Sequence, residues 1–185
     1  MKRLYPPKTF FKLLKDLISS RGATRRLPPN ECINRPFIER IMMAVTQVNG
    51  CRYCSYFHTK VALKAGMEQK EIDKALLGDF DDAPEEELAA LFFAQHYAEK
   101  AGEPDEEALN CLINEYGQRK SNAILAYIRA IMIGNAWGNM FDSIGHRITG
   151  KPCGEMNIFQ EIGVITGPIW MIPIILIQMV FLKNS

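Results

Sequence analysis

Residues 34–66, NRPFIERIMMAVTQVNGCRYCSYFHTKVALKAG, decide how this chain is read. Asn34 is placed to cap a helix that Pro36 suits at its start. Phe37, Ile38, Ile41, Met42, Val45 and Val48 then recur at helical spacing, which predicts a helix from about Pro36 to Val48. Asn49-Gly50 ends it, because both residues tolerate the left-handed conformation common at helix C-termini. A second helix is expected from near Cys51 to about Ala65, stopped by Gly66. A helical hairpin results.

The second helix carries Cys51, Cys54 and His58 at i, i+3 and i+7, along one stripe of its surface. Thiols three residues apart can close a disulfide within one turn. Cys51 falls at the helix N-terminus, where unpaired N–H groups favour thiolate. His58, one turn beyond Cys54, is in reach of its proton directly or through one water. These two cues leave open which sulfur carries the charge. Glu39 lies on the antiparallel helix, roughly 15 Å from the turn at about 1.5 Å per residue, and His58 roughly 12 Å down the other. A carboxylate at that height can orient the imidazole. Arg35 and Arg40 compete for Glu39 as ion-pair partners.

Outward from the hairpin, the pattern stays helical. Residues 8–19, KTFFKLLKDLIS, set Phe10, Phe11, Leu14, Leu17 and Ile18 on one face with lysines opposite. That helix either packs on the domain or lies on an anionic membrane surface. Arg21–Asn30 reads as a linker broken by Gly22, Pro28 and Pro29. A short helix is expected over Glu68–Leu77, and an acidic loop over Asp79–Pro84. A helix follows from Glu85 to about Lys100, with Glu85, Glu86 and Glu87 at the positive end of its dipole. Two more run from about Pro104 to Tyr116 and from about Ser121 to Phe141. His96 and His146 are expected to serve local structure. The fold class is all-α, an antiparallel helical bundle, organised as a basic amphipathic extension (1–30), a helical redox domain (31–150) and a hydrophobic tail (151–185).

Composition restricts the function classes. Hydrophobic residues make up 48% of the 185, enough for a substantial core and too many for wholesale disorder. The formal net charge is only +1, so no nucleic-acid partner is expected, although residues 1–26 are strongly basic. Five cysteines, with Cys32, Cys111 and Cys153 scattered, do not form a secreted disulfide scaffold; such usage suits the reducing cytoplasm. The first apolar patch, interrupted by Lys12 and Lys15, is not read as a secretory leader. No cofactor is expected, because no flavin, haem or nicotinamide motif is visible. Structural zinc on Cys51, Cys54 and His58, in a membrane-tethered binding module, is the rival use of the motif. Residues 162–182 hold no charge over the length that crosses a bilayer. They are expected to form one extra C-terminal helix that either contacts a membrane or packs in an oligomer interface.

Glu39-x11-Cys51-x2-Cys54-x3-His58 resembles the signature of the alkylhydroperoxidase D-like branch of the carboxymuconolactone decarboxylase superfamily. The resemblance continues through Tyr53, Ala62, Ala65-Gly66-Met67 and Lys70-Glu71-Ile72, and is good over residues 34–80. It implies an all-helical subunit that assembles into trimers or hexamers, and a redox-active Cys51–Cys54 pair. In that family pattern Cys54 attacks a hydroperoxide, Cys51 resolves the product, and His58 with Glu39 relays protons. A dithiol or protein reductant then restores the pair. The decarboxylase branch generally lacks these cysteines, so lactone decarboxylation is not expected. A disulfide reductase serving a peroxiredoxin is the nearest alternative.

Overall fold

The computed structural model describes residues 2–150 and 156–183. Among these the chain forms eight α-helices, two short 3-10 turns and no strand. The all-α expectation is met. The helices are α1 (Pro7–Ser19), α2 (Arg35–Asn49), α3 (Arg52–Lys64), α4 (Gln69–Leu77), α5 (Glu85–Glu99), α6 (Glu106–Ile148), α7 (Ile158–Ile165) and α8 (Gly167–Lys183). Cys153 lies outside the described residues.

α2 is the hub, packed against α3, α4, α5 and α6. Its cap is the expected one, with the Asn34 side chain accepting from the Phe37 N–H at 2.8 Å. Gly50 takes the left-handed conformation (φ 66°) that lets the chain reverse directly into α3. Ile41, Met43, Ala44 and Val45 of α2 are fully buried against Leu91 of α5 and Ile124, Ile128 and Met132 of α6. Arg40 is also largely buried. It donates to Glu71 of α4 and Glu87 of α5, each at 2.6 Å, and so joins three helices through one guanidinium. Burial pushes the Glu87 carboxyl up, against the opposing pull of Arg40.

α1 packs on α6, α7 and α8, burying Phe10, Leu13 and Leu14. Met171 and Ile175 of α8 are fully buried in the same core. Arg147 of α6 pairs with the buried Glu161 of α7 at 2.8 Å, and Ser143 donates to the same carboxylate at 2.7 Å. Those partners, Arg147 first, hold the Glu161 carboxyl below its ordinary value.

Two boundaries differ from the sequence reading, and one holds. The helices expected to end at Tyr116 and begin at Ser121 are both present within α6, separated where Gly117 turns to a non-helical φ 71°, ψ 160°. The Ser121 hydroxyl bridges that break by donating to the Leu112 carbonyl at 3.0 Å. α6 also extends to Ile148, so His146 sits on the helix rather than beyond it. The uncharged tail is two helices, not one. The Asn157–Gln160 capping box starts α7, α8 begins after Thr166, and the pair is bent by 61°. Among the described residues no single helix is long and apolar enough to cross a membrane, although the bent pair together could.

Candidate active site

The hairpin delivers Glu39 and His58 to each other. His58 Nδ1 lies 2.7 Å from Glu39 Oε2 across the α2–α3 interface. Glu39 is fully buried, and the His58 side chain is 12% exposed. The second carboxylate oxygen faces the Arg35 guanidinium at 2.8 Å without hydrogen-bond alignment, so one oxygen serves the imidazole and the other a surface charge. Arg40, the other expected competitor, is turned to Glu71 and Glu87 instead. Phe57 meets the imidazole edge-on, with ring centroids 5.1 Å apart.

Cys51 is the residue that caps α3. Its extended backbone (φ −83°, ψ 103°) lets Sγ accept the Cys54 N–H at 3.3 Å. The sulfur is 0% exposed, whereas Cys54 is half-buried. The Cys51 thiol is lowered to about 7. A hydrogen bond from the Cys54 thiol is the main cause, assisted by the Cys54 and Tyr53 N–H groups and the Lys2 charge, against a desolvation that raises it. Cys54 moves the opposite way, pushed up by donating to Cys51, by burial and by its partner's charge. These causes favour the charge on Cys51 over Cys54 when the pair loses its first proton. Accessibility ranks the sulfurs in the reverse order. Among the described residues no hydrogen bond joins His58 to either cysteine.

Several residues that shape this site were not read from the sequence. Gly138 of α6 faces the sulfurs so closely that a Cβ there would meet Cys51 Sγ at 2.7 Å and Cys54 Sγ at 3.6 Å. Its signal was available: a glycine inside an apolar helix marks close approach. Asp142, one turn further along α6, is buried and pairs with Lys2 and with Arg52 of α3. The N-terminal segment of the chain is held beside it. Tyr5 donates to the Asn49 side chain at 2.6 Å, the Arg3 N–H reaches the Asn49 carbonyl at 3.0 Å, and Asn139 donates to that carbonyl at 2.7 Å. No motif joins Lys2 to residue 142 in sequence; only the packing of α6 does.

The expected rival, zinc, meets an awkward donor set. Among the described residues no three His, Cys, Asp or Glu side chains are grouped to hold a metal ion. His58 is directed to Glu39, and Cys32 and Cys111 are exposed outside the hairpin. The Asp79–Asp82 loop is closed locally, by the Asp81 N–H on Asp79 at 3.0 Å and by Lys74 on Asp82 at 2.9 Å.

Residues 20–96 match the sequence model of the carboxymuconolactone decarboxylase family. That stretch is less than half of the chain and contains Glu39, Cys51, Cys54 and His58. No curated protein matches the chain.

Proposed function

We propose that the stretch matching the carboxymuconolactone decarboxylase family serves here as a dithiol peroxidase of the alkylhydroperoxidase D-like branch. One observation carries the reading: a buried carboxylate bonded to an imidazole, one helical turn from a cysteine pair whose inner sulfur is poised near neutral pH. The decarboxylase branch generally lacks such a pair.

In the proposed cycle the half-buried Cys54 meets the hydroperoxide. Its proton passes to the Cys51 thiolate, leaving Cys51 as thiol and Cys54 as thiolate. The Cys54 sulfur attacks the distal peroxide oxygen, the O–O bond breaks, and the electron pair leaves with an alkoxide. His58, oriented by Glu39 and entering the step as the imidazolium, gives the proton that makes this the alcohol and regains one from solvent afterwards. The Cys51 thiol then condenses with the Cys54 sulfenic acid to give the disulfide and water. A dithiol, free or carried by a protein, reduces the disulfide by exchange.

Tyr53, Tyr56 and Phe57 are exposed on α3 around Cys54. They favour a second reading, in which the pair exchanges with a protein disulfide such as that of a peroxiredoxin. They also suit an interface of the trimer or hexamer that the family resemblance implies. Treatment with one equivalent of hydroperoxide separates the two activities. The first requires loss of two thiols per chain and a Cys51–Cys54 disulfide by peptide mapping. Thiols inert to peroxide but oxidised by a disulfide-bonded protein would replace it with the second.

A further inference from the structure

We propose that the face formed by the C-terminus of α1, the middle of α6 and α8 docks on an anionic phospholipid bilayer, with α8 embedded in one leaflet rather than crossing it. The inference is independent of the thiol chemistry and uses none of its residues.

α8 is held to the domain by one face, with Met171 and Ile175 both 0% exposed and Ile172 and Met179 partly buried beside them. The rest of its surface is mostly apolar and exposed, at Ile169, Ile174, Ile177 and Val180. Between Gly167 and Val180 the helix has one strongly polar side chain, Gln178, and no charge. A helix apolar all round belongs in a protein core or in lipid. The buried stripe fixes α8 along the surface of the bundle, and its 17 residues span about 25 Å, short of the roughly 30 Å hydrocarbon layer. Trp170, half-exposed at its start, suits the boundary between headgroups and acyl chains.

Charge complementarity identifies the occupant. A groove of about 520 Å³, lined by Leu17, Ile18, Tyr127, Ala130, Ile172 and Leu176, runs between α8 and the rest of the face. It shares Ser20 and Arg21 with a polar cleft of about 480 Å³ lined by Arg21, Arg119, Arg129 and Asn122. Arg129 is fixed there by donating to the Ser20 and Tyr97 hydroxyls. Among the described residues no carboxylate lies within ion-pair distance of any of the three guanidinium groups. Three unneutralised arginines bordering an apolar groove fit a layer of phosphate headgroups above acyl chains. A second copy of this chain would bring the same positive cleft against itself, or leave it unpaired.

The test is sedimentation of the full chain with vesicles of phosphatidylcholine alone and with phosphatidylglycerol added. Binding to the anionic vesicles at least tenfold stronger, and weakened by salt, is expected. Arg21→Ala with Arg119→Ala, both at exposed positions, should weaken it about 25-fold, at about fivefold per arginine. Ile177→Asp with Val180→Asp should abolish it while the circular dichroism spectrum stays unchanged. Equal affinity for the two vesicle types overturns the proposal, as does no binding to either. So does a dimer formed without lipid and dissolved by the α8 pair.

Discussion

α3 and α8 both leave apolar side chains in solvent, in opposite company. α3 buries only Ala62, yet its chemistry is fixed from outside: Glu39 of α2 holds His58, Gly138 of α6 backs the sulfurs, and Asp142 anchors Arg52. α8 is fixed by burial, through Met171 and Ile175 in a shared core with Ile172 and Met179 packed beside them. A helix positioned by directed polar contacts can hold reacting atoms to a fraction of an ångström. A helix positioned by a greasy stripe can tolerate any surroundings of the same polarity.

The comparison breaks most sharply at Cys54. Cys54→Ser should abolish both disulfide formation and peroxide turnover, whereas Ile177→Asp on α8 should leave turnover intact, as measured by peroxide consumption. Next in size is Arg40→Ala, which strands two carboxylates under α2. It should cost about 3–5 kcal/mol in urea unfolding, because removing one partner leaves buried charge uncompensated. Glu39→Gln keeps the shape but loses the charge that orients the imidazole. A fall of about 10²-fold in turnover is expected, with the Cys51–Cys54 disulfide still able to form.

Titration sharpens the contrast further. The Cys51 thiol is depressed from 9.0 to about 7, so its thiolate appears as pH rises through about 7 and alkylation should follow that midpoint. The folded state gains stability from this group progressively between those values, and the gain is absent below the lower one. In Cys51→Ser the neighbouring anion is gone, and Cys54 should titrate below its wild-type position. The smallest effect is expected where α7 meets the end of α6. Glu161 is depressed below 4.5 by Arg147, so its contribution is present above that pH and fades as acid protonates it. Trp137, which donates to the Ile165 carbonyl at 3.3 Å, should report loosening of α7 by fluorescence in acid, and earlier in Arg147→Met.

The hairpin was legible because its determinants are local. The Asn34 cap, the Gly50 reversal and the apolar spacing of α2 place Glu39 and His58 at one height without knowledge of any other helix. Gly138 left a signal, a glycine inside an apolar helix, but what it meets depends on the packing of α6, as does the pairing of Asp142 with Lys2 and Arg52, and that register is written in no short stretch. The tail misled for a third reason. Hydropathy counts residues and is blind to direction, so twenty-one uncharged positions looked like one rod, whereas the chain bends at Thr166 and divides them between two helices.

Gly138 has a practical corollary for chemical labelling. With backbone pressed where a methyl group would collide with Cys51, the inner sulfur is screened from bulky electrophiles although it is the better anion. A maleimide should therefore tag Cys54 first, and smaller alkylating agents should erase that preference. The ratio between the two reagents becomes a ruler for how far α6 stands from the thiols.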